Sequence, residues 1–228
     1  MYKNIIKRCM DIIISFIGIV ILMPLFIIIS IVGALSLKGN PFFVQPRPGK
    51  DGKIFYLLKF RSMNNKTDEN GVLLSDKERL TKYGKWLRHT SLDETLELFN
   101  IISGDMAFVG PRPFLVKDYV FMSEKIKERH YVRPGLTGLA QVNGRNNMSW
   151  EEKFEYDLEY IDNISFLFDC SIFVKTILKV LGIIKVKDEE IDLSEDYGDY
   201  LLHSNRIDLD EYNKKIEEAK KMLENKYE

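Results

Sequence analysis

The hydropathy pattern is dominated by one feature: Ile12 to Leu37 is a run of 26 residues without an ionisable side chain. As a helix it would be about 39 Å long at roughly 1.5 Å per residue, enough to cross a bilayer. A cleaved signal peptide has a shorter apolar core and a small-residue cleavage site. This run leads straight into Lys38 and Gly39 and predicts a retained anchor. Pro24 lies near its middle, where the missing N–H and the ring predict a kink or break. Basic residues flank both ends: Lys3, Lys7 and Arg8 before, Lys38, Arg47, Lys50 and Lys53 after. A spanning helix leaves only one flank in the cytoplasm, whereas a helix broken at Pro24 that enters and returns leaves both there. A plain span carrying a proline is the alternative.

Past the anchor the pattern shortens. Pro41, Phe42, Phe43, Pro46, Pro48 and Gly49, followed by Ile54-Phe55-Tyr56-Leu57-Leu58, predict turns around one or two strands. Asn64 to Asp76 is polar and reads as a loop, and Lys77 to His89 has helical spacing at Leu80, Tyr83 and Leu87. Ser91-Leu92-Asp93-Glu94 has the form of a capping box opening a helix with Leu92, Leu96 and Phe99 on one stripe. Ser149-Trp150-Glu151-Glu152 predicts a second such start, before Phe154, Leu158 and Ile161. Phe166 to Leu181 reads as an amphipathic helix with Lys175 and Lys179 one turn apart, fit either for a membrane interface or for the core. Leu209 to Glu228 is a charged helix, a solvated appendage or a partner-binding element. The expected fold class is α/β and mostly helical: a membrane helix broken at Pro24, a compact domain with short strands and interfacial amphipathic helices, and a charged helical tail.

Composition narrows the function classes. A chain of 228 residues with 45% hydrophobic positions is long enough for one sizeable core and excludes a disordered or collagen-like chain. Two cysteines, Cys9 and Cys170, exclude a disulfide scaffold or a cysteine zinc cluster and suit a reducing, cytoplasmic setting. The net charge of −1 hides an asymmetry: residues 186–228 carry 14 acidic and 7 basic side chains, leaving the rest at +6. A basic body suits phosphate ligands or an anionic membrane surface, although scatter explains six charges equally well. There is no phosphate loop, no dinucleotide glycine motif and no His-Glu-x-x-His signature, and the dispersed basic residues give no nucleic-acid module. Asp208-Leu209-Asp210 has no adjoining strand and is read as chance.

The candidate chemistry clusters around three Arg-Pro units, Arg47-Pro48, Arg112-Pro113 and Arg133-Pro134, and around Asp93. Proline restricts the backbone beside each guanidinium, and guanidinium forks match phosphate, though ordinary turns explain any one unit as well. Asp93 falls in a predicted helix first turn, where free N–H groups stabilise a carboxylate. Acidic residues also start helices for purely structural reasons.

Taken in order, these segments resemble the bacterial sugar transferases, the monotopic phosphoglycosyl transferases. The matching pieces are Lys7-Arg8 with Asp11, Pro24, Phe43-x-Gln45-x-Arg47-x-Gly49, Lys59-Phe60-Arg61-Ser62-Met63 and Ser91-Leu92-Asp93-Glu94. Gly104-Asp105-Met106, Val109-Gly110-Pro111-Arg112-Pro113, Arg133-Pro134-Gly135-Leu136-Thr137-Gly138, Gln141 and Gly144-Arg145 complete the series. The resemblance covers about residues 2 to 185 and is closest to the small, PglC-type members. It implies a re-entrant anchor over 1–38 and a catalytic domain over 39–185; the acidic helical extension over 186–228, read from its charge, has no counterpart in the family.

The resemblance also implies a reaction, the transfer of a phospho-sugar from a UDP-sugar to polyprenyl (undecaprenyl) phosphate with release of UMP. Asp93 would be the nucleophile of a covalent phosphosugar intermediate, and Asp93 with Glu94 would hold Mg²⁺. Lys59, Arg88, Arg112 and Arg145 are the candidate phosphate cations, and Asp157 is carried over as an active-site acid. The small size points to an amino or diamino sugar, with UDP-galactose or UDP-glucose as the alternative and a non-catalytic membrane scaffold acting through the tail as a third reading. The implied setting is the cytoplasmic face of the bacterial inner membrane, among phospholipid, with a second copy of the chain or downstream glycosyltransferases as protein partners. Two departures stand out. Thr95-Leu96-Glu97-Leu98 replaces the usual Leu-Pro-Gln-Leu after the dyad, and Met23 precedes Pro24 where members often have Ser.

Overall fold

The computed structural model describes residues 1–144, 148–183 and 195–224. Arg145 and the expected boundary near 185 lie outside the described residues. A helical turn, Tyr2–Ile6, leads into α1, Lys7–Leu37, which is long and apolar enough to cross a membrane. The expected break at Pro24 is not an interruption: α1 runs through it as one helix. Proline removes one backbone donor, and the packing of Leu22, Leu25 and Phe26 into the core on either side offsets that loss.

One face of α1, formed by Asp11, Ser15, Ile19, Phe26, Ile29 and Gly33, is buried against the body. The contact spans nearly the whole helix. Near its start Arg8 donates to the carbonyls of Ile101 (2.5 Å) and Ile102 (2.9 Å), and Asp11 accepts from the Phe108 N–H (3.1 Å). Near its end the Tyr83 hydroxyl donates to the Ile29 carbonyl at 3.1 Å. The opposite face is bare hydrocarbon, including Ile13, Phe16, Ile21, Ile28 and Leu35.

The Pro/Gly-rich stretch forms the expected hairpin: β1, Phe42–Pro48, antiparallel to β2, Ile54–Phe60. The single helix expected over 77–89 is two, α2 (Asp76–Arg79) and α3 (Lys82–His89). Thr81 caps the second by accepting from the Gly84 N–H at 2.9 Å. Gly84 is there for closeness, since a Cβ would lie 1.8 Å from the Ser62 carbonyl oxygen. A 3-10 turn, Leu92–Leu96, leads into α4, Glu97–Ser103. The orphan carbonyls at the end of α4 are satisfied by Arg8 and by Arg133, which donates to the Gly104 carbonyl at 2.7 Å. Arg133 is thus a helix cap.

The Val109 and Arg133 motifs hold a feature that the pattern did not predict. β3, Ala107–Val109, pairs in parallel with β4, Gly135–Thr137, and the short helices α5 (Val116–Tyr119) and α6 (Glu124–Lys127) lie between them in sequence. Then come α7 (Leu139–Asn143), α8 (Trp150–Asp162) and α9 (Phe166–Val180). The capping box at Ser149 forms as expected.

The C-terminal helices, α10 (Tyr197–His203) and α11 (Leu209–Glu224), are not a solvated appendage. Tyr197 is buried against Trp150 and Phe154, its N–H donates to Asp118 at 3.0 Å, and Ala219 packs on Val116 and Val120. Burying a side chain of this size contributes on the order of 2 kcal/mol. Asp208 caps α11 through the Glu211 N–H at 2.8 Å, which accounts for the Asp-x-Asp.

Candidate active site

A cleft of about 1130 Å³ opens between the hairpin, the 3-10 turn and α7–α9. It is lined by Lys59, Arg88, Asp93, Glu94, Arg112 and Asp157, so the structure gathers the described residues of the expected site, while Arg133 lies outside it as the cap of α4. Their roles differ.

The capping box expected at Ser91 does not form. Ser91 has φ 54° in the left-handed region, outside the extended conformation of an N-cap residue, and no side-chain cap bond is made. Glu94 does not reach back to Ser91. Its Oε1 accepts from Lys59 Nζ at 3.1 Å and from Arg112 Nη2 instead. Two charge-assisted bonds outweigh one bond to a backbone N–H. Burial opposes the charge on Glu94, but Arg112 and Lys59 overcome it and hold the carboxyl well below the usual range.

Asp93 is the contrast. It sits beside Glu94, half-buried in the cleft, and makes no hydrogen bond or ion pair with any described residue. Burial and then the Glu94 charge push its carboxyl upward, opposed by Lys59, Arg88 and Arg112. The expectation that a helix first turn stabilises its charge is therefore corrected: a five-residue 3-10 turn does not offset desolvation, and the cations do the opposing.

Glu97 was visible in the sequence as a third carboxylate, and its burial was not. It is 1% exposed and lies 3.2 Å from Lys59 Nζ. Burial pushes its carboxyl up to about 7, with Lys59 opposing and Glu94 assisting. The folded group thus holds its proton more tightly than the unfolded one, whose value is 4.5. Its contribution to stability is present below pH 4.5 and is lost as pH rises towards 7. We expect thermal stability to fall over that window by up to roughly 2–3 kcal/mol, and the Glu97→Gln variant to show a flatter profile. Parallel pH profiles for the two proteins would refute this.

Asp157 is in the wall. It is 2% exposed and pairs with Arg129, whose Nε lies at 2.9 Å and Nη2 at 2.7 Å from Oδ2. Arg129 also donates to the Arg112 carbonyl at 2.5 Å and lies 4.3 Å from the Phe114 ring centroid. The pair therefore sets the backbone that carries Arg112. No local pattern marked Arg129, because its partners are 28 and 17 residues away. Arg47 lines the cleft and is tied to the Pro113 carbonyl (3.1 Å) and to Gln45 (2.7 Å).

Among the described residues no group of three His, Cys, Asp or Glu side chains forms a metal cage. Asp93 and the second oxygen of Glu94 are hard oxygen donors in a cationic cleft. That donor set fits Mg²⁺, which takes one or two carboxylates and completes its shell with substrate phosphates and water.

The family model for bacterial sugar transferase matches residues 2–182. The chain is 49% identical over 157 residues to the uncharacterized sugar transferase EpsL of Bacillus subtilis, covering 68% of this chain and 78% of that one. It is 37% identical to a UDP-glucose:undecaprenyl-phosphate glucose-1-phosphate transferase of Xanthomonas campestris, covering 79% of this chain and 40% of the relative. An enzyme of the same name from Klebsiella pneumoniae is 39% identical, with 76% and 39% covered. The chain thus spans about 40% of the length of these two. The match crosses α1, the dyad turn and the Arg112 and Arg133 loops together, and the chain belongs to the bacterial sugar transferase family.

Proposed function

We propose that this protein transfers a hexose 1-phosphate, from UDP-glucose or UDP-galactose, to polyprenyl phosphate and releases UMP. The observation that carries the chemistry is the Asp93 carboxylate, paired with no described residue, in a cleft otherwise rich in cations. The sugar class rests on the relatives. Those from Xanthomonas, Klebsiella and Escherichia coli are named for UDP-glucose, and one from Erwinia amylovora for UDP-galactose. This favours the hexose alternative over the amino sugar that the small size had suggested. What the relatives share with this chain is the catalytic unit, and chain length says nothing about its sugar pocket.

In the first step an Asp93 oxygen attacks the β-phosphorus of the donor. The bond from that phosphorus to the bridging oxygen breaks, its electron pair stays on that oxygen, and UMP leaves without needing a proton. In the second step an oxygen of the lipid phosphate attacks the same phosphorus, the bond to Asp93 breaks, and the carboxylate is restored. Arg112 and Lys59 hold Glu94 and place positive charge where the transferring group becomes more negative. Bound at Asp93 and Glu94, Mg²⁺ would neutralise diphosphate charge.

Because α1 docks on the body from Arg8 to Gly33, it cannot stand across a bilayer without drawing the body into hydrocarbon. This supports a monotopic seat on the cytoplasmic face of the inner membrane, with both ends of α1 on one side. The apolar outer face of α9, including Leu167, Val174 and Ile177, suits the same interface, and Phe166 at its start meets Tyr2 at 6.0 Å.

The test is UMP release by the full chain in nanodiscs from UDP-glucose, UDP-galactose, UDP-N-acetylglucosamine and a UDP-diamino sugar, with and without undecaprenyl phosphate. A hexose donor is expected to give lipid-dependent turnover. No UMP from any donor, or turnover confined to an amino sugar, would overturn the proposal.

A further inference from the structure

The cations of the cleft fall into two classes. Lys59 and Arg112 are spent on Glu94 and, for Lys59, on Glu97. Arg88 and Arg61 have no carboxylate partner among the described residues. Arg88 uses only its Nε, which donates to the Ser62 hydroxyl at 3.0 Å. The Arg61 side chain makes no hydrogen bond or ion pair with any described residue, and its Nε is buried without an acceptor. Both line the cleft with Asp93.

Their placement on one cleft has a local basis. Arg61 directly follows β2, and its backbone N–H is fixed to the Pro41 carbonyl at 2.7 Å. Gly84 allows α3 to rest on the Ser62 backbone, and Arg88, one turn later on α3, thereby reaches the Ser62 hydroxyl. Two guanidinium groups whose terminal nitrogens no described residue engages thus line the same cleft, one on the residue preceding Ser62 and one bonded to the Ser62 hydroxyl. Leaving such donors empty in a half-buried cleft is costly, and a phosphate dianion satisfies both forks.

We propose that Arg61, together with Arg88, is the clamp for the leaving phosphate of the nucleotide, and that the lipid phosphate takes the same clamp afterwards. This rests on the two-step transfer proposed above. UMP departs from the phosphorus on the side opposite Asp93, and the acceptor must approach along that same line to displace Asp93. Both are phosphate monoesters of similar charge. One pair of forks therefore serves both, in turn.

The measurement is calorimetric binding of UMP, uridine and inorganic phosphate to the full chain in nanodiscs, alongside steady-state kinetics. Arg61→Gln is expected to weaken UMP binding by about 10- to 100-fold, to leave uridine binding unchanged, and to raise KM for polyprenyl phosphate by a similar factor. Arg61→Lys, which keeps charge but loses the fork, should fall between. Because the Arg61 side chain makes no hydrogen bond or ion pair with a described residue, melting temperatures should stay close to wild type. If wild type binds UMP and Arg61→Gln binds it equally, the clamp is wrong. If UMP binding falls while KM for the lipid is unchanged, the shared use is wrong. If wild type neither binds UMP nor releases it from any donor, it is the transfer reaction itself that fails.

Discussion

Asp93→Asn is expected to abolish turnover, lowering kcat by at least about 10³-fold, while UMP binding survives. Asparagine keeps the size and place of the side chain but offers a neutral amide that cannot carry a phosphosugar. The substitution is structurally mild, because Asp93 holds nothing in place: no described residue bonds to it. Removing a negative charge beside Glu94 also relieves like-charge repulsion, so the melting temperature should hold steady or rise. The decisive readout is a phosphosugar adduct seen by intact-protein mass spectrometry after incubation with donor alone. Wild type should accumulate it and Asp93→Asn should not. An adduct that persists in the variant would move the nucleophile elsewhere in the cleft.

Asp157→Asn should destabilise the fold strongly, on the order of 3–5 kcal/mol in chemical unfolding. Arg129 and Asp157 side chains are 1% and 3% exposed, so neutralising one leaves the other charge buried without a counter-ion. Arg129 also carries the Arg112 carbonyl, so activity should fall by more than the loss of folded protein explains. An apolar double replacement, Arg129→Met with Asp157→Leu, should recover much of the stability and none of the activity, separating the two roles. A loss below about 1 kcal/mol for Asp157→Asn would show that the pair is hydrated and is not a structural bolt.

Where a segment's structure depends on its own residues, the sequence revealed it. Ser149 and Glu152 cap α8 as their spacing suggests, and the Pro/Gly punctuation of 40–63 gives the hairpin. Ser91 and Glu94 have the same spacing and fail, because Lys59 and Arg112, 35 and 18 residues away, compete for the carboxylate. The parallel pair β3–β4 is three residues per strand, too short for any periodicity, and depends on close backbone approach at Gly135, where a Cβ would meet the Gly110 nitrogen at 2.1 Å. The tail looked solvated because the residues that dock it, Tyr197, Leu201 and small Ala219, are sparse among charges. The cleft residues were legible through the family motifs. Which cations are spent and which are open was not, since that is a matter of pairing in space.

The docking of α1 has a consequence for how the protein is made. A generic membrane tag is interchangeable, because lipid is its only partner. This helix carries Arg8, Asp11 and Ser15 on the face turned towards the body, and Arg8 completes the end of α4. Before the body folds, those groups have no counterpart in the hydrocarbon, and α4 has no cap. Helix α1 and the body are therefore expected to fold together. A chimera with an unrelated apolar helix would reach the membrane and still lack a correctly closed α4, the segment that begins at Glu97 directly below the dyad.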